Sequence, residues 1–252
     1  MSWGPPLGLG GGQAGETLPS WTSTVPRALV STSRYITDAW QGHTAAMRAL
    51  ILVDIQNDFL PGGALAVPGG DEVIPAANQL QSRFELVVAT QDWHPADHGS
   101  FASRHRGRKP GDLDVLGGLP QVLWPDHCVQ GTAGAAFASG LQMNRVEAIF
   151  RKGTDPGIDS YSAFFDNGHR KSTGLGDYLK GRGATELYIA GLATDYCVKF
   201  SALDARQLGF RTFVVEDGTR GVELHPGDVA RALEQMRAAG VQVVRSGDAG
   251  RV

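Results

Sequence analysis

From residue 48 to 246, short apolar runs alternate with segments whose apolar positions recur at helical spacing. The runs at 49–53, 86–90, 146–151, 186–190, 211–216 and 241–245 read as strands. Unbroken apolar runs of this length mark strands buried on both faces of a parallel sheet. Helices are predicted at 71–84, 175–182, 195–208 and 227–239. The first sets Val73, Ile74, Ala77 and Leu80 on one face behind a capping acid, Asp71, and Gly209 stops the third. The long stretch 92–144 and a shorter one between 151 and 175 break the alternation, and a segment of the first one's length is normally functional or holds short helices. The pattern predicts an α/β domain: a three-layer, doubly wound sheet of about six parallel strands with helices on both faces.

Residues 1–46 differ in character. A Gly-rich stretch at 4–12 leads into a Ser/Thr-rich one with no apolar period. No strand precedes those glycines, so they do not form a nucleotide loop, and the charged and apolar regions of a secretory signal are missing. An unstructured extension is expected at 1–46, with Met47 as an alternative start and one domain over 47–252. The 252 residues carry a formal charge of −3. Neither a nucleic-acid partner nor a membrane partner is expected from that balance and from apolar runs too short to span a bilayer. Two cysteines do not make a disulfide framework, which fits a reducing cytoplasm.

The chemistry-bearing residues fall at strand ends. Asp54 closes the run at 49–53, Lys152 follows 146–151, and Cys197 lies just past 186–190 where a helix is predicted to begin. In an open parallel sheet those ends line one edge, where ligands bind. Separately, Asp54 reads as a helix cap, Lys152 as a solvated strand end and Cys197 as core. Together an acid, an amine and a thiol read as an activated nucleophile with its base and an electrostatic partner. Free backbone N–H groups at a helix N-terminus would favour the thiolate of Cys197 and could hold an oxyanion.

A second group follows the strand at 86–90. Asp92 and His94 are alternate residues of an extended segment and can offer oxygen and nitrogen to one ion, with His127 as the third ligand. Two imidazoles and a carboxylate suit one divalent transition metal, Zn, Fe or Mn. Cys128 is expected as a buried neighbour of this group, and the basic loop 104–109 as a solvated face.

The motifs VDIQNDFLPGGAL, TQDWHPADHGSF, WPDHCVQGT, FRKG and GLATDYCV occur in that order within residues 47–246. They resemble the nicotinamidase branch of the isochorismatase-like cysteine hydrolase superfamily. The resemblance implies Cys197 as nucleophile, Asp54 as acid and base, and Lys152 as the third member of a triad. It implies Asp92, His94 and His127 as metal ligands, with His98 at a position that ligates in some members only. Phe59 and Trp124 would sandwich a pyridine ring, with Tyr161 beside them. The N–H groups of Ala193 and Cys197 would form the oxyanion hole, and a non-proline cis peptide would fall at Leu192–Ala193. The implied activity is hydrolysis of nicotinamide, and of pyrazinamide, through a thioester, as a step of NAD salvage. Zinc is the first choice of metal, the partner is a small amide, and a homo-oligomer stays open. A ureido or carbamoyl amidohydrolase would keep the triad without needing Asp92, His94 and His127. Vinyl-ether hydrolysis does not require Cys197, and a non-catalytic metal-binding module would not require the triad.

Overall fold

A computed structural model describes residues 47–250. Residues 1–46, expected above as an extension, lie outside the described residues. Strand β1 (Met47–Val53) is followed by α1 (Val73–Gln81), β2 (Leu86–Asp92), β3 (Leu113–Leu116), β4 (Leu119–Val122) and β5 (Ala148–Lys152). Then come α2 (Leu175–Gly181), β6 (Ala184–Leu192), α3 (Lys199–Gln207), β7 (Arg211–Arg220), α4 (Asp228–Ala238) and β8 (Gln242–Val244). The main sheet has six strands in the order β5-β2-β1-β6-β7-β8, and all adjacent pairs are parallel. The winding direction therefore reverses between β1 and β6, and the crevice beyond their C-terminal ends is where such sheets bind ligands.

Side chains alternate across a strand, so β1 feeds two cores at once. Leu50 and Leu52 pack with Val73, Ala77 and Leu80 of α1. Ala49, Ile51 and Val53 pack on the other face with Leu175 and Leu179 of α2, Ala202 and Ala205 of α3, and Leu233 and Met236 of α4. Residues 49–53 are fully buried, which is why the run carries no polar residue. Cutting Leu50 or Ile51 back to Ala would cost about 2–5 kcal/mol.

Three expectations need correction. Asp71 does not cap α1: it sits in a 3-10 turn (Gly70–Glu72), and the helix begins at Val73 without a side-chain cap. The stretch 92–144 is not wholly irregular, because β3 and β4 form an antiparallel hairpin within it. The helix expected to start at 195 is preceded by a π-helical turn, Thr194–Val198, so α3 proper starts at Lys199.

At the end of β1 the backbone of Asp54 takes a left-handed conformation, φ +48°. Its N–H bonds Thr90 Oγ1 at 3.2 Å. Two residues on, the Gln56 side chain continues the pairing with β2. Its Nε2 donates to Asp92 O (2.8 Å), and its Oε1 accepts from Asp92 N–H (2.7 Å).

Candidate active site

The strand ends bring Asp54, Lys152 and Cys197 together. Lys152 Nζ lies 2.9 Å from Asp54 Oδ2, 3.1 Å from Asp92 Oδ1 and 3.4 Å from Cys197 Sγ, and donates to Ser160 O at 3.0 Å. Asp92 and Lys152 are register partners on β2 and β5, so the ion pair follows from the sheet itself. The Lys152 and Asp54 side chains are fully buried. Thr90 Oγ1 donates to Asp54 Oδ1 at 2.7 Å and holds that carboxylate from the second side.

Burial sets the protonation states. It works against the Lys152 charge, but the Asp54 and Asp92 carboxylates outweigh it and raise this ammonium well above the usual lysine range. Burial also raises Asp54; Lys152 opposes the rise and Asp92 adds to it. The Cys197 thiol, 7% exposed, is pushed well up by burial, with Lys152 pulling down and both carboxylates pushing up. The expectation of a resting thiolate is therefore corrected. Cys197 sits inside the π-helical turn, and the two carboxylates counter any gain from free N–H groups. The thiol rests protonated beside a carboxylate whose proton affinity has been raised.

Asp92 also belongs to the second group. Its Oδ2 lies 3.1 Å from His94 Nε2 and 3.5 Å from His127 Nε2. His94 Nδ1 lies 2.9 Å from Gly153 O and His127 Nδ1 2.8 Å from Pro125 O. A carbonyl oxygen only accepts, so both Nδ1 atoms carry hydrogen, and each Nε2 is the ring nitrogen turned toward the carboxylate. Three buried donors, mutually within 4.8 Å, could hold a cation between them. The donor set fits a divalent metal ion. Gly153 makes this approach feasible, because a Cβ there would lie 2.4 Å from His94 Cε1 and 2.8 Å from Asp92 Oδ1. His98 converges with His94 and Asp159 rather than with Asp92 and His127. Its Nδ1 meets Ser100 Oγ at 2.7 Å, while its buried Nε2 has no partner. Burial and the neighbouring His94 bring its pKa down to about 4.

A small pocket, partly open to solvent, lies over both groups. Cys197, Asp92 and His127 form its floor, with Phe59, Trp124, Tyr161 and Ala193 among its walls. Ala193 follows a cis Leu192–Ala193 peptide, at the place the resemblance implies. Cys128 is buried in the core, as expected, and that burial pushes its thiol well up. Loop 104–109 is largely exposed. Sequence reasoning missed Thr90, Ser160, Asp159 and Tyr196. Thr90 alone had a signal there, because it lies two residues before Asp92 on the same strand and so points to the same face.

The family described as Isochorismatase domain matches residues 48–248. The chain is 54% identical to the nicotinamidase of Escherichia coli over 205 residues, spanning 80% of this chain and 96% of the relative. It is similar in structure to an Acinetobacter baumanii nicotinamidase–pyrazinamidase, with a TM-score of 0.79 and 47% identity over 81% of this chain and 99% of the other. A Pyrococcus horikoshii pyrazinamidase solved in complex with zinc matches with a TM-score of 0.65 and 40% identity, covering 79% of this chain and 98% of its own.

Proposed function

This chain belongs to the isochorismatase domain family, and from that premise we propose that it hydrolyses nicotinamide to nicotinate and ammonia. The observation that carries the reading is one carboxylate, Asp92, shared between a buried Asp54–Lys152–Cys197 cluster and a two-histidine cation site under one pocket. Pyrazinamide, with a ring nitrogen in the same place, is the second substrate. The reaction belongs to NAD salvage, and its place is the cytoplasm.

Asp54 takes the Cys197 proton, leaving a thiolate and a neutral acid beside the Lys152 ammonium. The thiolate forms a C–S bond to the carboxamide carbon, and the N–H groups of Ala193 and Cys197 receive the developing oxyanion. Asp54 returns its proton to the nitrogen as the C–N bond breaks and ammonia leaves. Water then gives a proton to Asp54 as its oxygen attacks the thioester. The C–S bond breaks, nicotinate is released, and Cys197 recovers the proton. Asp92, His94 and His127 would hold the metal ion, zinc in this proposal, which when bound supplies a Lewis-acid contact for the ring nitrogen. Phe59 and Trp124 hold the ring between them, so the amide reaches Cys197 already oriented.

A panel of nicotinamide, pyrazinamide and ureidoacrylate, read by ammonia release, tests this directly. Turnover of the two ring amides at kcat/KM values well above ureidoacrylate is the expected result. The reverse order would establish the ureido reading instead.

A further inference from the structure

The hairpin the sequence pattern did not announce places one buried residue behind the pocket wall. Gln121, on β4, is 3% exposed and does not line the pocket. Its Nε2 lies 2.7 Å from Val122 O, 2.9 Å from Asp159 Oδ2 and 3.0 Å from Tyr161 Oη. A carbonyl and a carboxylate can only accept, which fixes the nitrogen end of this amide. Tyr161 Oη also accepts from Trp124 Nε1 at 3.1 Å. Burial, and then the Asp159 charge, push the Tyr161 phenol well above its usual range, so it stays neutral. Asp159 is held in turn by the Ser160 N–H at 2.7 Å. The amide has two hydrogens for these three acceptors; directed at Asp159 Oδ2 and Tyr161 Oη, with Val122 O sharing one of them, they make a series from a buried carboxylate through Gln121 and Tyr161 to the indole of Trp124.

Resting on the reading of Trp124 as a wall for the substrate ring, we propose that Gln121 is a positioning residue for ring recognition. It acts through Tyr161 to set the angle of the indole. The indole N–H bond orients Trp124 against the pocket, beside its edge-on packing on Tyr196 with centroids 4.9 Å apart. A wall displaced by a fraction of an ångström loses contact with the ring, so the substrate is held more weakly.

The test uses Gln121→Met, which keeps the length and removes the donor, with Tyr161→Phe and the double variant. We expect about a 10-fold fall in kcat/KM for nicotinamide in Gln121→Met, carried mainly by KM. Alkylation of Cys197 by iodoacetamide, which needs no ring wall, should keep its wild-type rate. The double variant should be no worse than Tyr161→Phe within about twofold, since residues acting in series are not additive. Additive losses, an unchanged KM or slowed alkylation would each overturn the proposal. Should the Met variant melt early, Gln121→Leu, which also lacks the donor and brings no charge to Asp159, is read the same way. Trp124→Ala separates the two levels: a wild-type KM there would refute Trp124 as a wall, whereas a raised KM with a silent Gln121→Met refutes the role of Gln121 alone.

Discussion

Lys152→Met removes the ammonium from the centre of the site while keeping nearly the same stem. Lys152 Nζ lies within 3.1 Å of both the Asp54 and Asp92 carboxylates, with its side chain fully buried. Removing one partner of a buried pair costs about 3–5 kcal/mol, against a total stability of roughly 5–15 kcal/mol. The pH dependence has a definite sign. The pKa of Lys152 is raised in the folded protein, so its contribution is complete below the unfolded lysine range and is lost only as pH climbs through the raised value. Wild-type stability should therefore be flat in this group between about pH 5 and pH 9. In the Met variant Asp54 and Asp92 lose their counter-charge, so the folded pKa of Asp54, already raised by burial, climbs further and that of Asp92 rises with it. A folded state that binds protons more tightly than the unfolded state gains stability as pH falls, so the deficit should be largest near pH 8 and smaller near pH 5. At neutral pH a protonated Asp54 cannot accept the thiol proton, and kcat should fall by about 100-fold or more. Urea unfolding at both pH values, with and without a chelator, gives the stability; ammonia release gives the rate. A variant within about 0.5 kcal/mol of wild type at both pH values, or one that keeps more than about a tenth of kcat, would refute this account.

Other perturbations separate the remaining roles. Cys197→Ala should abolish ammonia release with the melting temperature little changed, whereas Cys128→Ala should keep most turnover; a lethal Cys128 change would reverse the assignment. Benzamide lacks the ring nitrogen and should be worse than nicotinamide by at least on the order of 10-fold in kcat/KM. Chelation or His94→Ala should shrink that gap, and an unchanged ratio would show that the ion acts elsewhere than on the ring. Gly153→Ala would drive a methyl group onto His94 and Asp92 and should lower metal content, measured by atomic emission, along with activity. A chain beginning at Met47, where β1 starts, should match the full chain in turnover and melting temperature, and a large loss in either would show that residues 1–46 contribute.

The sheet is legible in the sequence because burial leaves a mark there. β1, β2 and β6 are covered on both faces, so their apolar runs are nearly unbroken, and the residues closing them fall at one edge by pattern alone. The β3–β4 hairpin leaves no such mark. Leu113 and Val115 point outward, 68% and 65% exposed, so its apolar residues do not report a core. Gln121 inherits that silence. The resting state of Cys197 is hidden for another reason: local sequence shows a thiol near a helix start, but the burial and the two carboxylates that set its proton affinity come from other strands. Ser160 enters through its backbone carbonyl, which no side-chain pattern announces.

The Gln56 amide, paired on both sides with the main chain of Asp92, stands in for a peptide unit of β1 that has already turned away. It works as a splice between the scaffold and the chemistry. Anyone grafting this catalytic centre onto another doubly wound frame would need to carry the splice along with Asp54, Lys152 and Cys197. Without it Thr90 and Lys152 alone would hold the acid beside the metal-facing carboxylate, even if every reacting group were in place. Asn, one methylene shorter, could not make both contacts at once. The portable unit is therefore the triad together with a residue that never meets the substrate.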